Sequence, residues 1–280
     1  MTANPLHATP AATAVAADAR LDWLLDAIRR NRFLPVPPPE KLFIGDGDYL
    51  AIGAEFLGHF VRIGGLAPGE RVLDIGCGIG RMAVPLTQYL DESGSYDGAD
   101  IVADGIGWCR EAIGSRYERF RFHHLDQHHP LYNPQGAVPT AEAALPFPDG
   151  AFDFVFLTSV TTHLEADALR RYAEEIRRVL APPGGRCFVT AFLMNGPARD
   201  ALRATDRSAR RLPFDPDAAG PVFYAYPEQP TAAVAFDEDF FLASFLAAGL
   251  RRKRPAVYGH WSGRRTPVFQ DICVLDIADR

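Results

Sequence analysis

The chain has 280 residues, 48% of them hydrophobic, enough for a sizeable core in one large domain or a domain with additions. Its formal net charge of −6 argues against an enzyme that grips nucleic acid by bulk positive charge. No stretch has the apolar length of a membrane helix, and the N-terminus lacks the basic start and compact apolar block of a secretion signal. The four cysteines, Cys77, Cys109, Cys187 and Cys273, lie far apart in no metal-binding pattern, which reads as a reduced, cytoplasmic chain.

Residues 1 to about 17, rich in Ala, Thr and Pro, read as a disordered tail. Asp18 can cap a first helix with Leu21, Leu24, Leu25 and Ile28 on one face. Pro35, Pro37, Pro38 and Pro39 make a stiff extended linker. A Gly/Asp loop then leads into a second helix, striped by Tyr49, Ile52, Phe56, Phe60 and Ile63 and stopped by Gly64 and Gly65. Residues 18–66 are thus a helical extension, a candidate cap over a site built later in the chain. The plainer reading is that they pack on a sheet.

The stretch on which the rest is organised follows. The apolar run 72–75 reads as a buried parallel strand. Gly76, Gly78 and Gly80 come next, then a helical pattern through Met82, Val84, Leu86 and Leu90. Glycines let the backbone turn tightly and approach a ligand, and the helix would present unpaired N–H groups to it. A dinucleotide fold wants Gly-x-Gly-x-x-Gly. Counting from Gly76, its third glycine would fall at Arg81, and the third glycine here comes one residue early.

A second strand over 96–101 ends in Asp100, 24 positions after Gly76, where a carboxylate can accept both hydroxyls of a ribose. Asp97 is its rival. A helix with Ile106, Cys109 and Ile113 inward precedes a third strand over 120–126. The long loop 127–150 carries His128, His129, Tyr132 and Asn133, and long loops at strand ends usually carry function. His123, His124, His128 and His129 tempt a metal reading, but neighbours in an extended segment point to opposite sides, and no metal is expected.

The fourth strand, 153–159, leads to His163 and a helix over Leu169, Tyr172, Ile176, Val179 and Leu180. A Pro182-Pro183-Gly184-Gly185 turn opens the fifth strand, 186–192. Residues 195–235 read as irregular and suit a substrate lid, or else a passive excursion. Asp237 caps a further helix with Phe240, Phe241, Phe245 and Leu246. The basic run 251–254 reads as a solvated strand edge. Residues 257–265 and a last strand at 269–275 suggest a closing antiparallel hairpin. No period of 20 to 50 residues repeats.

The spacing Asp74-x-Gly76-x-Gly78-x-Gly80 resembles the first motif of class I S-adenosylmethionine-dependent methyltransferases. The Leu145-Pro146-Phe147-Pro148-Asp149-Gly150 lead-in with Phe152 and Asp153, and the Pro-Gly-Gly turn, resemble the same family. The likeness is strong over residues 68–193 and holds in outline over 237–277. It implies an α/β fold: a Rossmann-like three-layer sandwich with a seven-stranded, mostly parallel sheet and a C-terminal antiparallel hairpin. The domain would span 67–280, with an insertion at 195–235.

Carried over by position, the resemblance implies cofactor contacts from Asp74, Gly76, Cys77, Gly78, Arg81, Asp100, Ile101 and Thr158. Asp126 would meet the adenine amino group. The reaction would move a methyl group from S-adenosylmethionine, giving S-adenosylhomocysteine. His163 is the candidate base, since an imidazole titrates near neutrality; a structural helix cap is the plainer alternative. Tyr49, His128, Tyr132, Trp261 and Arg264 are candidate substrate contacts, Arg264 for a carboxylate or phosphate. Trp261 and Tyr258 also read as core aromatics.

Neither a catalytic cysteine pair nor an Asn-Pro-Pro-Tyr run after the fourth strand is present. With the acidic balance, this favours a small-molecule acceptor, a sugar or secondary metabolite, over nucleic acid. A peptide or protein acceptor, a dinucleotide-dependent oxidoreductase and a non-catalytic cofactor-binding module are the alternatives.

Overall fold

The computed structural model describes residues 10–45, 47–142 and 144–278, with side chains from residue 17 onward. In chain order the elements are α1 (Pro10–Arg30), α2 (Tyr49–Arg62), β1 (Arg71–Ile75), α3 (Ala83–Leu86), β2 (Ser95–Asp100), α4 (Ala103–Cys109) and β3 (Phe120–His124). There follow β4 (Phe154–Leu157), α5 (Ala166–Val179), β5 (Arg186–Ala191), β6 (Leu193–Met194), α6 (Gly196–Ala204), β7 (Val222–Tyr224) and β8 (Val234–Asp237). α7 (Glu238–Ala247), β9 (Leu250–Arg252) and β10 (Asp271–Ile277) close the chain.

Seven strands form one sheet in the order β3-β2-β1-β4-β5-β10-β9. β1 pairs in parallel with both β2 and β4, while β10 runs antiparallel to β5 and β9. The strands are buried on both faces because alternate residues enter different cores. Val72, Phe154, Phe156 and Phe188 meet α2, whose Phe60 ring lies 4.3 Å from Phe156 and 5.0 Å from Phe188. Leu73, Ile75, Val155 and Leu157 meet Leu169 and Ile176 of α5 and Phe241 and Phe245 of α7. The order reverses at β1, so a crevice opens between the carboxyl ends of β1 and β4.

The structure corrects four sequence expectations. Helix α1 starts at Pro10 rather than at Asp18, because an alanine-rich run continues it backwards; the rest of the expected tail, residues 1–9, lies outside the described residues. Helix α3 is a single turn, since Pro85 offers no N–H and the chain continues to Leu90 as turns. A helix this short has little macrodipole, so the expected anion-attracting terminus is not built. The full-length antiparallel partners of β10 are β5 and β9; residues 257–265 meet it in register only at the isolated antiparallel bridge Val257–Ile272. Finally, residues 195–235 are not irregular. They hold α6 and β7, and a second sheet, β6-β8-β7, covers a core of Phe192, Phe214, Phe223 and Trp261.

That small core is anchored on Asp271, at the start of β10. Its carboxylate accepts from Leu193 N–H, Gly259 N–H and Trp261 Nε1–H, each at 2.7 Å. Burial pushes this carboxyl up to about 6 despite the three donors. Trp261, an expected substrate contact, is therefore a core residue that props the insertion on the sheet. Trp261→Phe keeps the ring and removes the donor, and should cost about 1–3 kcal/mol, lowering Tm by several degrees. Thermal unfolding followed by circular dichroism would show it; an unchanged Tm would remove the indole from this role.

Candidate active site

The glycine turn after β1 is held from below. Gly76 and Cys77 N–H groups both bond the Ala99 carbonyl on β2, at 2.8 and 3.1 Å. Gly78 N–H donates to Asp100 Oδ2 at 2.6 Å, and Asp100 Oδ1 accepts from Val102 N–H at 2.8 Å. One buried carboxylate thus joins the loops after β1 and β2. Gly76 has φ +79°, and a Cβ there would lie 2.2 Å from Val160. Gly80 has φ +73° for a different reason: it is packed by Ile113 and Cys109, so the third glycine serves the fold. Tyr49, an expected substrate contact, is buried and donates its hydroxyl to the Ile79 carbonyl at 2.8 Å.

A cavity of about 490 Å³ runs from this turn along the sheet's carboxyl edge. Gly76, Cys77, Gly78, Arg81, Asp100, Ile101 and Thr158 line it, as do His163 and Tyr132. The N-terminal segment contributes Phe43, Ile44, Ile52 and Phe56, and the insertion contributes Arg211, Leu212, Ala232 and Ala233. Of the two rival aspartates, Asp100 faces the cavity. Asp97 instead bonds Arg121 and His123.

Other expected residues lie elsewhere. Asp126 is exposed and accepts from Ala137 N–H, while Leu125 and Gln127 line the cavity. The period-two alternation of an extended segment explains this, because Leu125 and Gln127 share one side. Gln127 is held by the Tyr172 hydroxyl at 2.6 Å. His128 is exposed and outside the lining. Arg264 stacks 4.5 Å from the Tyr258 ring and donates to Asn195 Oδ1, also away from the cavity. Asp74 sits beneath the turn and is fully buried; Oδ2 accepts from the Tyr96 hydroxyl at 2.7 Å, and Oδ1 has no partner among the described residues.

The electrostatics of the two ends differ. Burial pushes the Asp74 carboxyl well above the usual carboxylate range against the pull of Tyr96, and Asp100 adds to the rise. Asp100 is itself raised by burial, against its backbone donors. Arg81, the cation on the turn, donates to the Ile44 and Gly45 carbonyls instead. Burial thus disfavours the ionised form of both acids, and a cation held nearby would offset that cost.

His163 follows β4 on a single 3-10 turn, and its ring is fixed by the insertion. Nδ1–H donates to the Thr231 carbonyl at 2.8 Å. Nε2 is left with its lone pair, 3.5 Å from the Tyr132 hydroxyl. Burial lowers its pKa below the ordinary 6.5, with the Thr231 bond opposing. His129 is the converse: Nε2–H donates to the His163 carbonyl, and Nδ1 accepts from Leu131 and Tyr132 N–H groups. Both of its nitrogens are spent. Ser159, which the sequence reading passed over, has φ +63°, a strained value for a non-glycine residue. Its hydroxyl and that of Thr190 both donate to Gln270 Oε1, at 3.0 and 2.5 Å.

Residues 73–189 match the family model described as a methyltransferase domain. The chain carries a class I S-adenosylmethionine-dependent methyltransferase domain. Among curated proteins, a sterol 24-C-methyltransferase of Gibberella zeae is 30% identical over 160 residues, which span 57% of this chain and 36% of that protein. The match thus spans about a third of that relative's length. Among solved structures, a protein of Pyrococcus horikoshii superposes with a TM-score of 0.56 at 18% identity, covering 86% of this chain and 96% of that one. The 1,6-didemethyltoxoflavin-N1-methyltransferase of Burkholderia thailandensis, solved with S-adenosylhomocysteine and its substrate, gives a TM-score of 0.51 at 17% identity. That alignment covers 100% and 92% of the two chains. At such identities the likeness is one of fold.

The turn of this methyltransferase domain should tolerate no side chain at its first glycine. Gly76→Ala combines a left-handed φ with a clash against Val160, and should destabilise by roughly 2–5 kcal/mol. Gly107→Ala, where a Cβ meets open space, is the control. Urea titration of both would check it; equal stability would show that Val160 yields.

Proposed function

We propose that the protein transfers a methyl group from S-adenosylmethionine to a small-molecule acceptor, with residues 67–280 as catalytic domain, 18–66 as cap and 195–235 as acceptor-side insertion. The pairing of two buried carboxylates, Asp74 and Asp100, under an open glycine turn carries this reading. The ligand is a cation, so it relieves a desolvation cost that the empty protein bears. Asp100 would accept the ribose hydroxyls with the lone pairs its backbone donors leave. Gly76, Cys77 and Gly78 offer close backbone approach, and Gln127 sits where a base edge would reach. A dinucleotide is disfavoured by Arg81 at the place of its third glycine and by the one-turn α3.

When bound, the cofactor supplies an electrophilic methyl group beside a good leaving group. The chain supplies placement and, for a hydroxyl acceptor, a base. His163 suits that role because Thr231 fixes the tautomer whose Nε2 lone pair meets only the long 3.5 Å bond from the Tyr132 hydroxyl and can take the acceptor's proton. Tyr132, whose hydroxyl faces the same nitrogen, can relay or orient that proton. A small acceptor fits a largely apolar cavity of about 490 Å³ better than a peptide does.

Two measurements test the proposal. S-adenosylhomocysteine, but not NAD, should raise Tm in a thermal shift assay. Asp100→Ala should weaken that binding at least ~tenfold in calorimetry, the cost of losing charge-assisted hydrogen bonds, while Asp97→Ala leaves it unchanged. Absent binding to the native protein would overturn the cofactor assignment.

The His163 imidazole gives an independent check. Its active form is neutral, so function is retained above its pKa and lost as pH falls through it. Because burial lowers that pKa, the NMR titration midpoint should lie below 6.5, and the resonance should vanish in His163→Gln. A hydroxyl acceptor that turns over should lose roughly 10²- to 10⁴-fold in kcat in that variant, with cofactor affinity intact. A midpoint above 6.5 would contradict the buried-base reading.

A further inference from the structure

The far wall of the cavity is built unlike the cofactor end. Arg211, on the insertion, lines it with its guanidinium 4.2 Å from the Phe269 ring, and no carboxylate bonds it among the described residues. The other lining arginine, Arg81, is committed to backbone carbonyls. Next to Phe269 stands Gln270, which also lines the cavity. Its Oε1 is spent on the Ser159 and Thr190 hydroxyls, and Thr190 Oγ1 in turn accepts from Ser159 N–H at 2.8 Å. This network fixes the amide, and its two Nε2–H donors bond nothing among the described residues. Four strand spacings separate Asp100 on β2 from β10, roughly 19 Å. One end of the cavity is therefore anionic and the other carries an unpaired cation with an amide donor.

We propose that the acceptor is a small, largely apolar molecule bearing a carboxylate, and that Arg211 and Gln270 bind this group while His163 faces the methyl-accepting atom. The inference rests on the methyltransferase reading above. A guanidinium edge and an amide N–H match two carboxylate oxygens. A phosphate dianion would leave charge unpaired against the apolar wall of Phe192, Leu212, Ala232 and Ala233. The strained Ser159 acts here as a positioning residue, because its hydroxyl holds Gln270. Arg264, the arginine that the sequence singled out for an anion, stands outside the cavity, and Arg211 occupies the place it was expected to fill.

The test uses the full chain and a panel of mono-hydroxybenzoic acids with their primary amides. Affinities are measured by calorimetry, with and without saturating S-adenosylhomocysteine. At least one acid should bind tenfold or more tightly than its amide. Arg211→Gln should bring that ratio to about one, and Arg211→Lys should keep part of it. Gln270→Glu retains an acceptor for both hydroxyls but replaces the donors by charge, so it should weaken the acid at least tenfold and spare S-adenosylhomocysteine. The exposed Arg254→Gln should change nothing. Acids that bind no better than amides, acids that do not bind at all, or a ratio that survives Arg211→Gln would each overturn the proposal. Failure of S-adenosylhomocysteine to bind would instead strike the cofactor reading, and the acid-to-amide ratio without it would still judge the anion site.

Discussion

Asp100 is the constraint on which the site depends. A carboxylate this deeply buried loses most of its hydration, and the N–H groups of Gly78 and Val102 offset that loss only in part. In exchange, two loops that emerge from neighbouring strands are clamped to one side chain. The glycine turn cannot drift without breaking a charge-assisted bond. Asp74, on β1 beneath the turn and with an unpartnered oxygen among the described residues, is pushed by burial well above the usual carboxylate range. The two carboxylates raise the thiols of Cys77 and Cys109, after the larger effect of the thiols' own burial. These cysteines are small packing residues under the turn, held as neutral thiols.

From that clamp outward, the walls come from segments on either side of the sheet-forming core. Arg81 reaches back to the Ile44 and Gly45 carbonyls, and Lys41 bonds Asp104 on α4, so the N-terminal segment is fastened over the glycine turn. The other wall is the insertion. It is no loose loop, since Phe192, Phe214 and Trp261 pack ring against ring and Asp271 ties them to β10. The Thr231 carbonyl therefore approaches the cavity from a packed body, while Arg211, itself exposed, rests 4.2 Å from the Phe269 ring.

The sheet was legible because burial on both faces writes itself as continuous apolar runs: residues 72–75, 153–157 and 186–191 announce strands without any partner in view. Asp100 was legible from its spacing to Gly76. Asp126 was not placed correctly, although the alternation from Leu125 to Gln127 carried the answer. Trp261, Arg264 and Tyr49 were chosen for their chemistry, and chemistry alone cannot distinguish a donor spent inside the fold from one offered to a ligand. Arg211 and Gln270 were invisible for the opposite reason. Nothing local marks them; their freedom is a property of contacts made by Ser159, Thr190 and Phe269, distant in sequence.

The two cavity histidines show why such freedom decides function. His129 and His163 lie with ring centroids 6.4 Å apart, and both have lowered pKa values. By composition and titration they are equivalent candidates for a base. What separates them is bookkeeping of lone pairs. In His129 the acceptor nitrogen is taken by two backbone N–H groups, so it can only hold the loop. In His163 the donor nitrogen is taken by Thr231, and the acceptor nitrogen faces the cavity beside Tyr132. Because Thr231 belongs to the insertion, the proposed acceptor-side element would also set the tautomer of the proposed base. An altered insertion would then change specificity and proton transfer together, while leaving the Asp100 clamp and the turn above it intact.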